Sequence, residues 1–229
     1  MAARVRKGGR SVKEPDTRTP RERYRAQVRA EIKQRAWEQI AAAGASALSL
    51  NAIAKQMGMS GPALYRYFAS RDELITGLVR DAYRSLADTF RAAAQPGPDL
   101  TALAYALRGW ALADPHRYFL VYGTPVPGYH APDDITAIAS EIMTTLLDAC
   151  ATLPPGSPAT PPALFGARPE DLPQWTDGHP APPAALHRAL TFWTRLHGVL
   201  SLEIAGHFTG MGFDPERLFA AELDGILAT

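Results

Sequence analysis

The sequence contains almost no cysteine and no long apolar run. Cys150 is the one cysteine among 229 residues, so the chain cannot form an internal disulfide, and no His or Cys lies near it at metal-ligand spacing. Charged residues or prolines interrupt each apolar stretch before the roughly 20 residues that a membrane-spanning helix requires. No apolar segment follows the basic N-terminal residues, as a secretory signal would require. These absences argue against a disulfide scaffold and a membrane protein, and they predict a cytoplasmic location.

The charged residues are distributed unevenly, although the net charge is only +1. Residues 1–80 contain 16 Lys and Arg against 7 Asp and Glu, whereas residues 81–229 contain 8 against 16. A basic stretch can simply be a solvated face, but only the first part of the chain suits a polyanionic partner. The apolar fraction of 46% is sufficient for a packed core.

Hydrophobic periodicity predicts an all-α protein, because no strand alternation of useful length occurs. Apolar residues at helical spacing predict a helix over 24–43, and a second long helix over 72–94 carries one apolar stripe. Further helices are expected at 99–113, 115–123, 133–152, 184–209 and 214–228. Ten of the twenty prolines fall within residues 153–183, which predicts an irregular insert, either a linker or a lid.

Residues 49–75 have the pattern of two short helices joined by a glycine turn and followed by a third helix. Ser49 is a candidate N-cap for the first of these, and Gly58 provides the left-handed residue that ends it. Pro62 fits the first turn of the next helix, where its missing amide hydrogen has no helical partner. Ser70 and Glu73 form a Ser-x-x-Glu capping box for the third. This pattern predicts a helix-turn-helix DNA-binding domain over residues 21–71, preceded by a flexible basic arm at 1–20.

On the basis of these residues, the chain resembles the TetR family of transcriptional regulators. The match is strongest over residues 24–80, where its core reads Ile53-Ala54-x-x-Met57-Gly58 followed by Ala63-Leu64-Tyr65-x-Tyr67-Phe68. In addition, Trp193-x-x-x-His197-Gly198 resembles the hallmark of the subgroup named for Trp, His and Gly. The resemblance implies an effector-binding and dimerisation domain over residues 72–229, and it implies no catalytic residue, metal or cofactor.

The resemblance also implies a homodimer that binds double-stranded operator DNA. The two recognition helices would enter successive major grooves of a pseudo-palindrome, with centres about 34 to 36 Å apart. Tyr65 and Tyr67 are expected to contact the DNA backbone or bases, and Arg71 is expected to contact a phosphate. The predicted DNA-binding residues are Ser49, Asn51, Ser60, Gly61, Pro62, Ala63, Tyr65, Arg66, Tyr67 and Arg71.

A small-molecule effector is expected to bind the C-terminal domain and release the DNA, as in a repressor. The predicted pocket residues are Trp110, Tyr118, Phe119, Tyr122, Met143, Leu147, Trp193 and His197. Such residues are more often plain core residues than ligand contacts, because an aromatic residue at helical spacing needs no ligand to explain it. His197, one turn beyond Trp193, can offer a hydrogen bond inside an apolar cavity, so an apolar or aromatic effector is expected.

The helix that starts near residue 184 is apolar on more than one side, so it must be covered on several sides. It is either an internal core helix or a helix with one face on the core and another on a partner subunit. In the second interpretation it packs with the last helix in a dimeric four-helix interface. The predicted interface residues are Gly198, Ser201, Ala205, Leu223 and Leu227.

Two other functions are compatible with parts of the sequence. An enzyme could use the histidines at 116, 187, 197 and 207, but their spacing forms no metal-ligand set, and no nucleophile elbow or phosphate loop is present. A nonspecific nucleic-acid packaging protein would account for the basic arm, but it would not account for the acidic, apolar second part of the chain.

Overall fold

The computed structural model describes residues 19–124, 129–154 and 178–228, and within these ranges the chain contains helices and no β-strand. The all-α prediction is confirmed. The α-helices are α1 (Pro20–Ala43), α2 (Leu50–Gln56), α3 (Gly61–Tyr65), α4 (Arg71–Ala94), α5 (Leu100–Ala113), α6 (Pro115–Tyr122), α7 (Asp133–Ala151), α8 (Pro183–Ile204) and α9 (Pro215–Leu227). A short 3₁₀ turn over Ala45–Ala47 joins α1 to α2.

The first three helices form a compact head, and local signals set most of its boundaries. Gly44 and Gly58 adopt φ angles of 78° and 64° and end α1 and α2, as predicted. However, α1 begins at Pro20 rather than at residue 24, because Thr19 and Glu22 form a complete capping box. The predicted box at Ser70 is only half formed: the Ser70 hydroxyl accepts from the Glu73 amide, but the Glu73 carboxylate accepts from the amide of Ala69.

One helix, α4, contributes to two hydrophobic cores. Its first half is buried in the head, where Leu74 and Leu78 pack with the apolar sides of α1, α2 and α3. Its second half is buried in the C-terminal domain, where Leu86 and Phe90 pack with α5, α7 and α8. Ile135 of α7 also packs into the head core, so the two cores meet beside α4 and α7.

The C-terminal domain is built from α5 to α9 around the second half of α4. Helix α4 packs on α5 and α7, and α8 packs on α7 and α9. The other predicted helices agree with the structure to within one residue, but α8 ends at Ile204 rather than at 209. Gly206, with φ of 78°, ends it in a Schellman motif, in which the His207 amide donates to Leu202 O at 2.9 Å. The helix therefore ends before the last five residues of the predicted range.

Two predicted segments fall mostly outside the described residues. These are the basic arm at 1–20, of which only the last two residues are described, and most of the proline-rich insert at 153–183. Among the helices that the structure describes, none combines the length and the apolar composition needed to cross a membrane.

Candidate DNA-binding face and effector cavity

Helix α3 has five residues and presents much of its surface to solvent. Leu64 is fully buried and anchors the helix to the head core, whereas the Tyr65 side chain is 44% exposed. Ser60, Pro62 and Arg66 are also exposed, and Gly61 and Ala63 are half-buried. A helix that reads a DNA groove must project side chains in this way from a rigid support.

Two arginines of α1 hold the C-terminal end of α3. Arg25 donates to the backbone oxygen of Arg66 at 3.0 Å, and Arg29 donates to the backbone oxygen of Tyr67. Cations at a helix C-terminus are favoured because its carbonyl oxygens carry partial negative charge. The Arg29 guanidinium also lies 4.0 Å from the centre of the Phe68 ring. Sequence reasoning missed this role, although the spacing of four between the two arginines places them on one face of α1.

The start of α2 lies beside the start of α3. Ser49 caps α2, because its hydroxyl accepts from the Ala52 amide at 3.3 Å, and its own amide donates to Gln39 Oε1 at 2.9 Å. A Cβ atom added to Gly61 would lie 3.8 Å from Asn51 Oδ1, so the exposed Asn51 side chain stands next to α3. The residues predicted at the two helix starts therefore share one exposed surface.

Arg71 makes contacts that the sequence did not indicate. Its guanidinium donates to three backbone oxygens of the segment between α1 and α2, those of Ala45 at 2.8 Å, Ser46 at 3.2 Å and Leu48 at 3.2 Å. It therefore fastens the start of α4 to the segment that leads into α2. Tyr67, the other residue predicted by matching position, is half-buried with the Arg25 guanidinium 5.5 Å from its ring centre.

An apolar cavity of about 320 Å³ lies in the C-terminal domain between α4, α6, α7 and α8. Three predicted pocket residues line it, namely Tyr122, Met143 and Trp193. Sequence reasoning missed the remaining walls, which are Tyr83, Ala139, Ile142 and Leu190. A volume near 300 Å³ is at the small end of the range for ligand pockets.

The other predicted pocket residues do not line this cavity. Trp110 is 5% exposed and donates its indole N–H to Ser85 Oγ at 3.1 Å, and Leu147 is fully buried in the core. Phe119 packs edge-on against Tyr118. Tyr118 and His197 are not lining residues either, and they contact each other, with the Tyr118 hydroxyl 3.0 Å from His197 Nδ1. The His197 ring centre lies 4.4 Å from those of both Tyr122 and Trp193.

Burial keeps the polar groups of this aromatic cluster neutral. Removal from water lowers the pKa of His197 to about 4. The same cause raises the pKa of Tyr118 and of Tyr122 well above the usual value for a phenol. At neutral pH the cluster therefore offers hydrogen bonds and no charge.

The predicted dimer residues separate into two groups. Gly198, Ser201 and Ala205 lie on the outer side of α8 and its C-terminal end, beside Leu202, which is 44% exposed. Leu223 is instead 2% exposed and buried in the core of its own chain, and Leu227 is half-buried against the same core. Leu223 therefore has little surface left for a partner, because the inner side of α9 packs on α8 and α5.

Two family models match the chain and together span both parts of it. Residues 32–78 match bacterial regulatory proteins of the tetR family, and residues 100–226 match the tetracyclin repressor-like C-terminal domain. The chain belongs to the TetR family of transcriptional regulators. The protein is thus a regulator with a DNA-binding domain and not an enzyme. Among the described residues, no group of three or more His, Cys, Asp or Glu side chains could hold a metal ion.

Individual relatives agree with the TetR assignment. The HTH-type transcriptional regulator Rv1816 of Mycobacterium tuberculosis is 37% identical over 220 residues, which cover 89% of this chain and 92% of the relative. The crystal structure of SCO4313, described as a regulatory protein, is 66% identical with a TM-score of 0.81 over 92% of this chain and 100% of that one. A tetR-family regulatory protein from Rhodococcus RHA1 shares the fold, with a TM-score of 0.55 and 18% identity over 88% of this chain and 95% of that one. The Trp-His-Gly subgroup stays a prediction, because the matched description does not distinguish it.

The buried state of His197 predicts a specific dependence of stability on pH. Its pKa is about 4 in the folded protein and about 6.5 in the unfolded chain, so the unfolded chain binds more protons between these values. This contribution to stability is complete above pH 6.5 and is lost as the pH falls toward 4. Between pH 7 and 4, the wild type should lose about 3 kcal/mol more than His197→Gln, which has no imidazole to titrate.

Urea unfolding of the two proteins at a series of pH values measures this difference. Every other side chain is the same in the two proteins, so its contribution cancels in the comparison. Parallel stability curves for wild type and variant would show that His197 is protonated as easily in the folded protein as in water.

Proposed function

We propose that the protein is a dimeric, ligand-responsive repressor that binds a pseudo-palindromic operator in double-stranded DNA and is released by a small-molecule effector. The observation that carries the DNA-binding part is the exposed surface of α3. The buried Leu64 anchors this helix to the head core, and two arginines of α1 bind its C-terminal end. Such a helix is supported firmly enough to keep its orientation in a major groove.

The exposed side chains indicate how the operator is read. Arg66 is exposed, and its guanidinium makes no hydrogen bond or ion pair with a described residue, so it is free to contact a phosphate or a guanine edge. Tyr65 offers a hydroxyl and an apolar ring, and Ala63 offers a methyl group that suits the methyl group of thymine. With few hydrogen-bonding side chains on α3, sequence-dependent DNA shape contributes much of the specificity, and contacts to the DNA backbone fix the register.

The outer side of α8 supports the dimer. Gly198 and Ser201 allow a second helix to approach closely, and the exposed Leu202 beside them provides apolar area to bury. Two heads joined in this way would bind two half-sites one helical turn apart, and the centres of these half-sites are about 34 to 36 Å apart.

Tyr83 supports the response to a ligand. It lies on α4, lines the apolar cavity and packs against both the head core and the C-terminal core. A molecule in the cavity therefore touches a side chain that also touches the head. Release of DNA requires only that the effector bind more tightly to the head orientation that does not fit the operator.

Fluorescence anisotropy with labelled DNA from upstream of the protein's own gene tests the operator proposal. Binding is measured at two salt concentrations and in the presence of unrelated competitor DNA. We expect tight binding that resists the competitor, with one dimer per site. Binding that the competitor abolishes would instead indicate a nonspecific electrostatic DNA-binding protein at that locus.

Arg66 and Arg71 provide a matched pair for the DNA-binding face. Arg66→Ala should weaken operator binding without changing the unfolding temperature, because its guanidinium supports no other described residue. A phosphate contact would also reduce the salt dependence by about one unit of slope. Arg71→Ala should weaken binding and lower the unfolding temperature, because it releases three backbone oxygens.

Arg71→Lys separates the two roles of that residue. Lysine keeps the positive charge but lacks the planar fork that reaches several oxygens. If Arg71→Ala leaves the unfolding temperature unchanged, or if Arg71→Lys restores both stability and affinity, the fastening role of Arg71 is contradicted. If Arg66→Ala binds the operator as tightly as the wild type, the proposed contact between Arg66 and the DNA is contradicted.

A further inference from the structure

Three exposed arginines without a carboxylate partner meet where the start of α1 lies beside the end of α3. They are Arg21, Arg25 and Arg66, and none of them makes an ion pair with a described residue. Arg25 donates to the backbone oxygen of Arg66 at 3.0 Å, and Arg21 precedes Arg25 by four residues on the same side of α1. Like charges at this spacing repel each other along a helix. An anionic partner would relieve that repulsion.

Tyr24 lies next to this group of arginines. Its side chain is 64% exposed, more than any other large apolar or aromatic side chain that the structure describes. Tyr24 follows Arg21 by three residues, so the two side chains are neighbours on the surface of α1. Arginine guanidinium groups and tyrosine hydroxyls are both common donors to DNA phosphates. The start of α1 therefore carries two exposed donors of suitable chemistry beside the candidate DNA-binding face.

The acidic side chain in the first turn of α1 is already bound within the helix. The Glu22 carboxylate accepts from the Thr19 amide at 2.7 Å and from the Thr19 hydroxyl at 2.9 Å. It is held at the helix start by these contacts and makes no ion pair with Arg21. The sequence before this surface adds further positive charge, since residues 1–18 contain six Lys and Arg against two Asp and Glu. The start of α1 thus suits a polyanion in spite of Glu22.

We propose that Arg21 and Tyr24 bind phosphates of the DNA backbone next to those reached from α3, so that the start of α1 forms a second part of the DNA-binding face. This inference rests on the proposed function, because it takes α3 as the helix that lies on the DNA. Phosphate contacts fix the register and orientation of a protein on the duplex and carry no sequence information directly. The start of α1 therefore adds affinity for every DNA sequence alike, whereas α3 reads the operator.

Binding to two duplexes of equal length tests the proposal, one with the operator and one of unrelated sequence. Fluorescence anisotropy with the full chain is measured over a series of salt concentrations. Arg21→Ala should weaken binding to both duplexes by the same factor, about fivefold for each bound head near 0.1 M salt. The salt dependence should fall by about one unit of slope for each bound head. The unfolding temperature should not change, because the Arg21 guanidinium supports no other described residue.

Four further variants act as controls and locate the contacts. Arg21→Lys keeps the charge and should keep the slope, whereas Arg217→Ala removes an exposed, unpaired arginine from α9 and should change neither slope nor affinity. Tyr24→Phe removes only a hydroxyl and should weaken binding to both duplexes about threefold without changing the slope. In the double variant of Arg21→Ala and Arg66→Ala the two losses should multiply, because the two side chains bind different phosphates.

Several results would overturn the proposal. They are wild-type affinity of Arg21→Ala or of Tyr24→Phe for both duplexes, an equal loss of slope in Arg217→Ala, or a double variant that binds no more weakly than Arg66→Ala. A loss confined to the operator would also overturn it, because that result indicates a base contact. The proposed function fails separately. A wild-type protein that binds both duplexes equally contradicts operator recognition, whereas the loss of affinity in Arg21→Ala would still appear on both.

Discussion

The burial of a single helix in two cores is the constraint on which the rest of the structure depends. Helix α4 runs without a break over 24 residues, with Leu74 and Leu78 in the head and Leu86 and Phe90 in the C-terminal domain. Each such side chain contributes roughly 1.5–3 kcal/mol when it is fully buried. The ion pair between Lys33 and Asp81 of α4 is partly exposed and contributes about 0–1 kcal/mol. Apolar packing therefore fixes the position of α4.

This constraint links the cavity to the DNA-binding face. Because both cores include residues of α4, a shift of this helix in one domain must be accommodated in the other. Tyr83 lies where the cores meet and also forms a wall of the apolar cavity. At the far end of the head, Arg71 at the start of α4 is bonded to the segment before α2. Contacts thus run continuously from the cavity along α4 to the helices of the candidate DNA-binding face.

The local features of the fold could be predicted from the sequence because each depends on neighbouring residues. Gly58 ends α2 and Pro62 begins α3 for reasons contained in their own backbone chemistry. The start of α1 was also readable from Thr19 and Glu22, although the apolar periodicity of the helix begins only later. The end of α8 was placed too late because apolar residues continue past Gly206, where the backbone turns.

The candidate sites were less predictable, because they depend on contacts between distant parts of the chain. Arg71 bonds to residues more than twenty positions away, and nothing in its own motif indicates this. Tyr83 lies beside the apolar stripe of α4 rather than in it, so periodicity gave no reason to select it. Trp110 and Leu147 have the composition of pocket residues but are buried in the core, and Leu223 faces inward on α9. In each case the direction of packing decides the role.

Coupling between the cavity and the DNA-binding heads is measured most directly by the distance between the two heads of the proposed dimer. A spin label on Lys55→Cys, at an exposed position of α2, reports this distance by pulsed electron paramagnetic resonance. The native Cys150 is buried and its pKa is raised to about 12, so it does not compete for the label. Saturation of the apolar cavity with 2-naphthol, used as an uncharged aromatic probe, should shift the distance, and Tyr83→Ala should reduce the shift. An unchanged distance distribution in a saturated dimer would contradict coupling through α4.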